Sequence, residues 1–393
     1  MIRQLLLGVA LVALPALAHA QTASGGTVSD IVGFLVTNRS VQTNDFDRDQ
    51  EAAAATRATL TQALLAAMTQ LPVGSAASGF EYRFNPALGT VERASETFGP
   101  FYVERARTAG PGQVSVGFTL RYASFGSLDG YNLHDGALVT TANQLNGATA
   151  PFDQEQLTLG VKARTVTFFG NIGVTDRIDI SAAVPLISLS VTGSRISIDN
   201  NTTRLQARAE ASTRGIGDIA VRARMRLTED GPAVAAAGAE LRLPTGREED
   251  LLGAGTPGIQ FLGMGSAEAG PANVYGNVAL GLGGVGNEVS YSGAIAVAAT
   301  PNVTVVGELL ARHLFGLDRI IPVTEPHPRI RNVTTTRLMP AGESQTTMYA
   351  VTGFKWDVAS TWLLHGQVLF PLSDAGLTSK FTPTIALDYA FGR

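Results

Sequence analysis

The last third of this chain alternates apolar and polar residues with a period of two. The pattern is clearest over residues 303–315, 362–370 and 384–391. Successive side chains of a β-strand point to opposite faces, so each stretch predicts a strand with one apolar and one polar face. The alternation favours a transmembrane β-barrel, with lipid outside and a polar lumen inside, over a soluble all-β extracellular protein.

The first twenty residues have the pattern of a cleavable secretion signal. Arg3 supplies the positive charge, Leu5–Leu17 is a short apolar run, and Ala18-His19-Ala20 is a small-x-small cleavage site. No later stretch of about 20 apolar residues follows, so a membrane protein of this sequence is expected to span as a barrel. We therefore divide the chain into a signal (1–20), a periplasmic or lumen-plugging segment (21–112) and an outer-membrane barrel (113–393).

The amino-acid composition argues against several kinds of functional site. The chain has no cysteine, which excludes disulfides, thiolate metal sites and cysteine nucleophiles. Charged residues make up 16% and the formal net charge is −4, a balance that predicts no nucleic-acid partner. The four histidines after the signal lack metal-ligand spacing, and no serine–histidine arrangement signals a hydrolase. We therefore expect no metal, no cofactor and no enzymatic activity.

The segment before the barrel does not alternate. Asp47–Gln70 is predicted to be one helix, because it is alanine-rich and is followed by Pro72. Its apolar stripe, Leu60–Leu71, is expected to dock against the barrel or inside its lower mouth. Gly79–Phe84 and Thr90–Arg93 are expected to form a hairpin.

From residue 113 onward we predict about twelve antiparallel strands. Five short turns alternate with longer polar links, the arrangement of bacterial outer-membrane barrels with short periplasmic turns. The chain's last strand ends almost on Phe391, which predicts recognition by the barrel-assembly machinery, and outer-membrane lipid is the other expected partner. The predicted strands are 113–124, 156–174, 177–192, 216–228, 232–243, 256–267, 272–284, 287–299, 302–315, 346–357, 361–371 and 380–391.

The polar faces of these strands supply candidate lumen-lining residues. Three arginines at alternate positions of one strand form a column that either guides an anion or belongs to an ion-paired network filling the lumen. Both interpretations stay open on sequence alone. The candidates are Arg121, Lys162, Arg164, Asp218, Arg222, Arg224, Arg226, Glu240, Arg242, Glu288, Glu308 and Arg312.

Several motifs resemble a known family. Gly215–Arg224, beginning Gly-Ile-Gly-Asp, resembles a strand start in the outer-membrane proteins named for the MetA pathway of phenol degradation. Gly173–Ile180, Val184-Pro185-Leu186 and Leu241–Gly246 also match, so the resemblance covers about residues 113–391. It implies an outer-membrane barrel that passes small hydrophobic or aromatic compounds. An anion-selective porin and a closed structural or binding barrel without transport are the alternatives, and the solute is not identified.

Overall fold

The computed structural model describes residues 21–36, 46–69, 79, 82–85, 90–93, 95–229, 231–317, 319–327, 329–342 and 344–391. The predicted secretion signal lies outside these ranges. Two helices are described, α1 (Val28–Val36) and α2 (Phe46–Thr69). Neither of them is long and apolar enough to cross a membrane. The prediction of a helix at 47–70 is confirmed to within one residue, whereas α1 was not predicted.

Strands make up most of the described chain, and a short 3-10 helix covers Glu248–Asp250. In chain order the strands are β1 (Gln21–Ser24), β2 (Tyr82–Asn85), β3 (Thr90–Arg93), β4 (Val114–Leu128), β5 (Tyr131–Asn132), β6 (Leu138–Leu145), β7 (Asp153–Gly173), β8 (Ile178–Asp199), β9 (Thr202–Ile216), β10 (Ile219–Arg226), β11 (Ala233–Leu243), β12 (Gly258–Ala269), β13 (Ala272–Gly283), β14 (Asn287–Thr300), β15 (Val303–Phe315), β16 (Ile320–Pro326), β17 (Val333–Pro340), β18 (Gln345–Asp357), β19 (Trp362–Pro371), β20 (Leu377–Ser379) and β21 (Thr382–Phe391).

Twelve of these strands close into an antiparallel barrel, so the predicted fold class and strand count are confirmed. The wall runs β4-β7-β8-β10-β11-β12-β13-β14-β15-β18-β19-β21, and β21 pairs with β4 to close the ring. These are the twelve predicted strands in their predicted order. The predicted hairpin is also present as the antiparallel pair β2–β3.

Apart from the separate β2–β3 hairpin, the remaining strands extend the wall at one end, which we call the long-link end. Four of these strands lie in segments that were predicted to be polar links, namely β6, β9, β16 and β17. β8 pairs with β10 through its first half and with β9 through its second half, so the sheet continues past the barrel. The opposite end, where β7 joins β8 and β10 joins β11 by short turns, is called the short-turn end.

A belt of exposed apolar side chains surrounds the outer face. Phe118 on β4 is 40% exposed and Val278 on β13 is 59% exposed. Aromatic residues gather where β19 and β21 approach the short-turn end, with the ring centres of Trp362 and Tyr389 4.7 Å apart. This distribution is the one expected of a wall that faces lipid.

The predicted facing of Lys162 and Arg164 is wrong. Along β7, Leu157–Ala163 places its apolar side chains inward, buried, whereas Lys162 and Arg164 are exposed on the outer face. Nearer the short-turn end of the same strand the polarity is reversed, since Phe168 is exposed outside and Thr167 is buried inside. The period of two is unbroken. The inner face of β7 is apolar in its first part, where helix α1 packs against it.

Both helices pack at the long-link end. On α1, Ile31, Val32 and Leu35 are buried in one apolar cluster with the inner faces of β7, β8 and β9. A capping box begins this helix, with the Asp30 backbone N–H donating to Thr27 Oγ1 and the Thr27 N–H donating to Asp30 Oδ2, both at 3.1 Å. The Thr27 hydrogen bonds hold the pKa of Asp30 below its ordinary value.

Helix α2 belongs to the same apolar cluster through Leu60 and Leu64. Its Gln62 side chain donates to the carbonyl oxygen of Gly316 at 3.4 Å, in the link after β15. Of the two placements expected for this stripe, against the barrel or inside its lower mouth, the structure shows the first, with the helix docked against the barrel at the long-link end. There its stripe packs against apolar inner-face residues such as Leu128, Leu133 and Leu338 in the same buried cluster.

Candidate functional site

The lumen of the barrel contains a piece of the chain that forms no wall strand. We call residues 95–109 the plug segment. Phe98, Val103 and Ala106 in this segment are fully buried. Just beyond it, the Gly112 N–H donates to the carbonyl oxygen of Gly173 at 2.9 Å, so the chain leaves the lumen at the short-turn end and continues into β4.

A buried lysine on β18 holds the first part of the plug segment. Lys355 Nζ donates to the carbonyl oxygens of Phe98 at 3.2 Å and Pro100 at 2.6 Å. The same ammonium lies 5.2 Å from the centre of the Phe101 ring. An extended segment without sheet partners leaves its backbone groups to be satisfied by side chains, and Lys355 satisfies two of its acceptors.

A buried glutamate on β15 holds the next residues from the donor side. Glu308 Oε1 accepts from the backbone N–H of Phe101, and Glu308 Oε2 accepts from that of Tyr102 at 3.0 Å. Thr304, four residues before Glu308 and on the same face of β15, accepts from the Phe98 N–H at 3.0 Å. Glu308 is thus a ligand of the plug backbone and does not line an open path.

The last part of the plug segment is fixed to the opposite side of the wall. Ser266 Oγ accepts from the Ala106 N–H at 2.8 Å. Asp179 on β8 accepts from the Ala109 N–H at 3.0 Å with one carboxylate oxygen and 3.1 Å with the other. The segment therefore crosses the barrel interior from β15 and β18 to β8 and β12.

The arginine column of β10 is bound to this segment by ion pairs. Arg222 pairs with both Glu104 of the plug segment and Glu240 of β11. Arg224 pairs with Asp179 and lies 3.4 Å from Glu104, and it is only 4% exposed. Its Nη1 also donates to the carbonyl oxygen of Arg105 at 2.8 Å. Two cations of the predicted column are therefore neutralised by carboxylates from three different elements.

A second charged group lies on the neighbouring strands. Arg242 Nε donates to Glu240 at 2.8 Å, which links this group to the column. Arg312 pairs with Glu288, and Gln260 donates to the same carboxylate at 3.0 Å. These side chains form a ring segment along the inner faces of β11, β12, β14 and β15.

Three other predicted residues lie apart from these groups. Arg121 and Arg226 are on the inner faces of β4 and β10. Asp218 lies between β9 and β10 and accepts from the backbone N–H groups of Gly246 at 3.1 Å and Ala254 at 2.8 Å. Its carboxylate fixes the link between β11 and β12 at the point where β9 leaves the wall.

Three cavities follow one another along the inner faces of β11–β15. The first, about 760 Å³, opens at the long-link end between α2 and the link before β12, and is lined in part by Arg57 and Glu248. It shares Thr256 with a second cavity of about 40 Å³. That one shares Arg242 and Glu288 with a third, of about 100 Å³, which ends against the plug segment. The third cavity is lined by Tyr102, Glu104, Arg222, Arg242, Gln260, Leu262, Asn277, Ala279, Glu288, Ser290, Tyr291, Ser292, Leu310, Ala311 and Arg312.

The sequence missed the plug residues that complete this site. Glu104 follows no alternation and stands in a segment without a recognisable motif, so only the folded chain brings it to Arg222.

Within the described ranges, no group of histidine, aspartate and glutamate side chains is arranged to hold a metal ion. His365 and Asp388, 2.8 Å apart on the inner wall, form a buried pair beside the Phe101 ring.

No protein-family model and no curated protein matches the chain. Among solved structures, it is similar to an outer membrane channel from Pseudomonas putida F1, with 11% identity over 73% of this chain and 98% of that one and a TM-score of 0.45. It is also similar to the NanC porin, with 6% identity, coverage of 70% and 98%, and a TM-score of 0.36. For the CymD monoaromatic hydrocarbon channel the values are 10% identity, coverage of 72% and 89%, and a TM-score of 0.26.

Proposed function

We propose that the protein is a channel for small molecules in the bacterial outer membrane, closed in this conformation by the plug segment. The apolar belt supports a membrane location, because a closed barrel with an apolar exterior satisfies its backbone hydrogen bonds within lipid. The long-link end would then face outward and the short-turn end would face the periplasm.

The observation that carries the proposal is the row of three cavities. They share lining residues and lead from the long-link mouth to Tyr102 and Glu104 in the plug segment. Neighbouring cavities that share lining residues and stop at a segment held by side chains are the geometry expected of a channel with a movable plug. Displacement of residues 101–105 would join the third cavity to the short-turn end.

The solute class follows from the family resemblance, which favours small hydrophobic or aromatic compounds. The innermost cavity is compatible with such solutes, since Leu262, Ala279 and Leu310 lie beside its charged residues. Arginine side chains and the aromatic ring of Tyr102 offer stacking surfaces to an aromatic ring. A solute with an aromatic ring and one polar substituent fits this mixed lining.

The anion-selective alternative is less favoured in the closed conformation. Arg222 and Arg224 are both paired with carboxylates, so the column does not present free positive charge to an anion. The closed structural barrel remains the second candidate, because the plug segment is anchored at every part of its length. Such a barrel gives no conductance steps while the plug segment is in place.

The test is conductance in planar lipid bilayers, measured with the full chain and with a variant that lacks residues 22–107. The full chain should give brief, rare openings, and the deletion variant should give steady conductance steps. Its far-ultraviolet circular dichroism and gel migration before and after boiling would show whether the barrel itself still folds. A folded deletion variant without conductance would favour the closed structural barrel.

A further inference from the structure

Three cations that are not directed into the lumen lie together on the outer wall. Lys162 and Arg164 on β7 and Arg214 on β9 are exposed. None of the three makes an ion pair with a described residue. The Arg164 guanidinium carbon lies 6.0 Å from the centre of the Tyr122 ring on β4, an aromatic contact that holds the side chain against the outer face.

Strand register places these cations in adjacent rows. Arg164 is directly opposite Ser188 of β8, and Ser188 is directly opposite Arg214 of β9. In the next row, away from the belt, Lys162 stands opposite Ser190. Arg164 and Arg214 are two strands apart, a spacing of about 10 Å. Two arginines and a lysine thus surround serine hydroxyls on one surface, which we call the cationic patch.

The row on the other side of Arg164 belongs to the apolar belt. It consists of residues in mutual register across four strands, and three of them are 42–48% exposed. Two residues further along β7 and β9 the outward side chain is an arginine, whereas β4 and β8 carry Tyr122 and Ser188 in that row. The members of this belt row are Leu120, Val166, Leu186 and Ile216.

A cationic row directly above an apolar belt lies at the level of lipid headgroups. In the proposed orientation the long-link end lies in the outer leaflet of the bacterial outer membrane. The lipid of that leaflet is a glycolipid that carries phosphates beside its acyl chains. Guanidinium groups bind phosphate oxygens through paired N–H donors, and serine hydroxyls add further donors. The patch contains no acid, and the first outward acid along β9, Glu210, is four residues beyond Arg214.

We propose that Lys162, Arg164 and Arg214 form a binding site for the phosphate groups of an outer-leaflet glycolipid. The proposal rests on the proposed outer-membrane location and is independent of channel activity. Acyl chains would lie along Val166 and Leu186 while the phosphate meets the two arginines and the serine between them. The site would fix the height and rotation of the β7–β9 wall in the membrane.

The test uses the full-length protein in detergent, titrated with diphosphorylated lipid A and followed by native mass spectrometry. The double variant Arg164→Gln/Arg214→Gln should bind about tenfold more weakly, since each charge-assisted hydrogen bond to phosphate contributes more than an ordinary one. Lipid A from which both phosphates have been removed should bind the unmodified protein as weakly as the variant binds the phosphorylated form.

The matched control is Arg204→Gln/Arg208→Gln. It removes the same amount of charge, both arginines are exposed on β9, and Arg208 is about 20 Å further from the belt than Arg214. This control should bind diphosphorylated lipid A like the unmodified protein. Equal loss in both double variants, or equal binding of the two lipids, would overturn the proposal, as would displacement of lipid A by an equimolar amount of inorganic phosphate.

The lipid-binding proposal and the proposed channel function can fail independently of each other. The patch variant should keep the gel migration of the folded barrel and the conductance of the unmodified protein, because no cavity residue is altered. Recovery of the unmodified protein in the soluble periplasmic fraction would contradict the membrane location itself, whatever the lipid titration shows.

Discussion

Lys355 Nζ lies 2.6 Å from the carbonyl oxygen of Pro100, so a cation of the barrel wall holds the backbone of the plug segment inside the lumen. The lysine is only 2% exposed, and it also donates to the carbonyl oxygen of Phe98. Wall and plug segment satisfy each other's polar groups here. A buried ammonium that lost these carbonyls would need new acceptors, and this requirement stabilises the closed conformation.

Replacing Lys355 by glutamine should open the channel more often. The change removes charge-assisted hydrogen bonds that each contribute about 1.5–3 kcal/mol, enough to shift a closed–open equilibrium by about tenfold or more. Open probability in planar bilayers measures the effect. Lys380→Gln, at an exposed lysine, is the control and should behave like the unmodified protein. The same open probability in all three proteins would show that this contact does not restrain the plug.

Locking the plug segment to the wall should keep the channel closed. Ala106 and Ser266 are close enough for a backbone–side-chain hydrogen bond of 2.8 Å, and the chain has no other cysteine to interfere with an engineered pair. In the Ala106→Cys/Ser266→Cys variant, oxidation should reduce openings and dithiothreitol should restore them. Each single variant serves as a control. Openings that persist after mass spectrometry confirms the disulfide would mean that conduction does not need this segment to move.

The sequence predicted the wall well because period-two alternation is a local signal. On β13, for example, Val278 is exposed outside while its neighbour Ala279 is buried inside. The same signal identifies which residues share a face but not which face is inside. Lys162 and Arg164 were assigned to the lumen on the rule that charge faces inward, and that rule fails where α1 supplies an apolar partner to the inner face.

The candidate site depends on contacts that no local pattern reveals. Arg222 and Arg224 were recognisable as a column, and Glu240 as a possible partner on the next strand of the wall. Glu104 was not, because it lies 118 residues before Arg222 in a segment without alternation. Helix α1 left a weaker trace that was overlooked, a threonine followed three residues later by an aspartate ahead of an apolar run.

Replacing Arg224 by glutamine should destabilise the barrel and leave ion selectivity unchanged. Its partners Asp179 and Glu104 are both nearly inaccessible, and removing one member of a buried ion pair costs about 3–5 kcal/mol. Urea unfolding gives the stability, and reversal potentials in a salt gradient give the selectivity. Arg177→Gln breaks an exposed pair with Glu229 and should cost under about 1 kcal/mol. A changed reversal potential with unchanged stability at Arg224 would instead support an anion path.

Arginine scanning of the outer face should locate the membrane boundary. Val278 is 59% exposed near the middle of the apolar belt, and arginine there should cost about 2–4 kcal/mol of folding free energy in lipid vesicles. Thr192 faces outward on β8, six residues beyond the belt residue Leu186, and arginine there should cost about 0–1 kcal/mol because its charge reaches water. Val278→Leu controls for side-chain size and should be nearly neutral. Urea-dependent folding of the three variants gives the comparison, and equal costs at Val278 and Thr192 would contradict a lipid-facing belt that ends at Leu186.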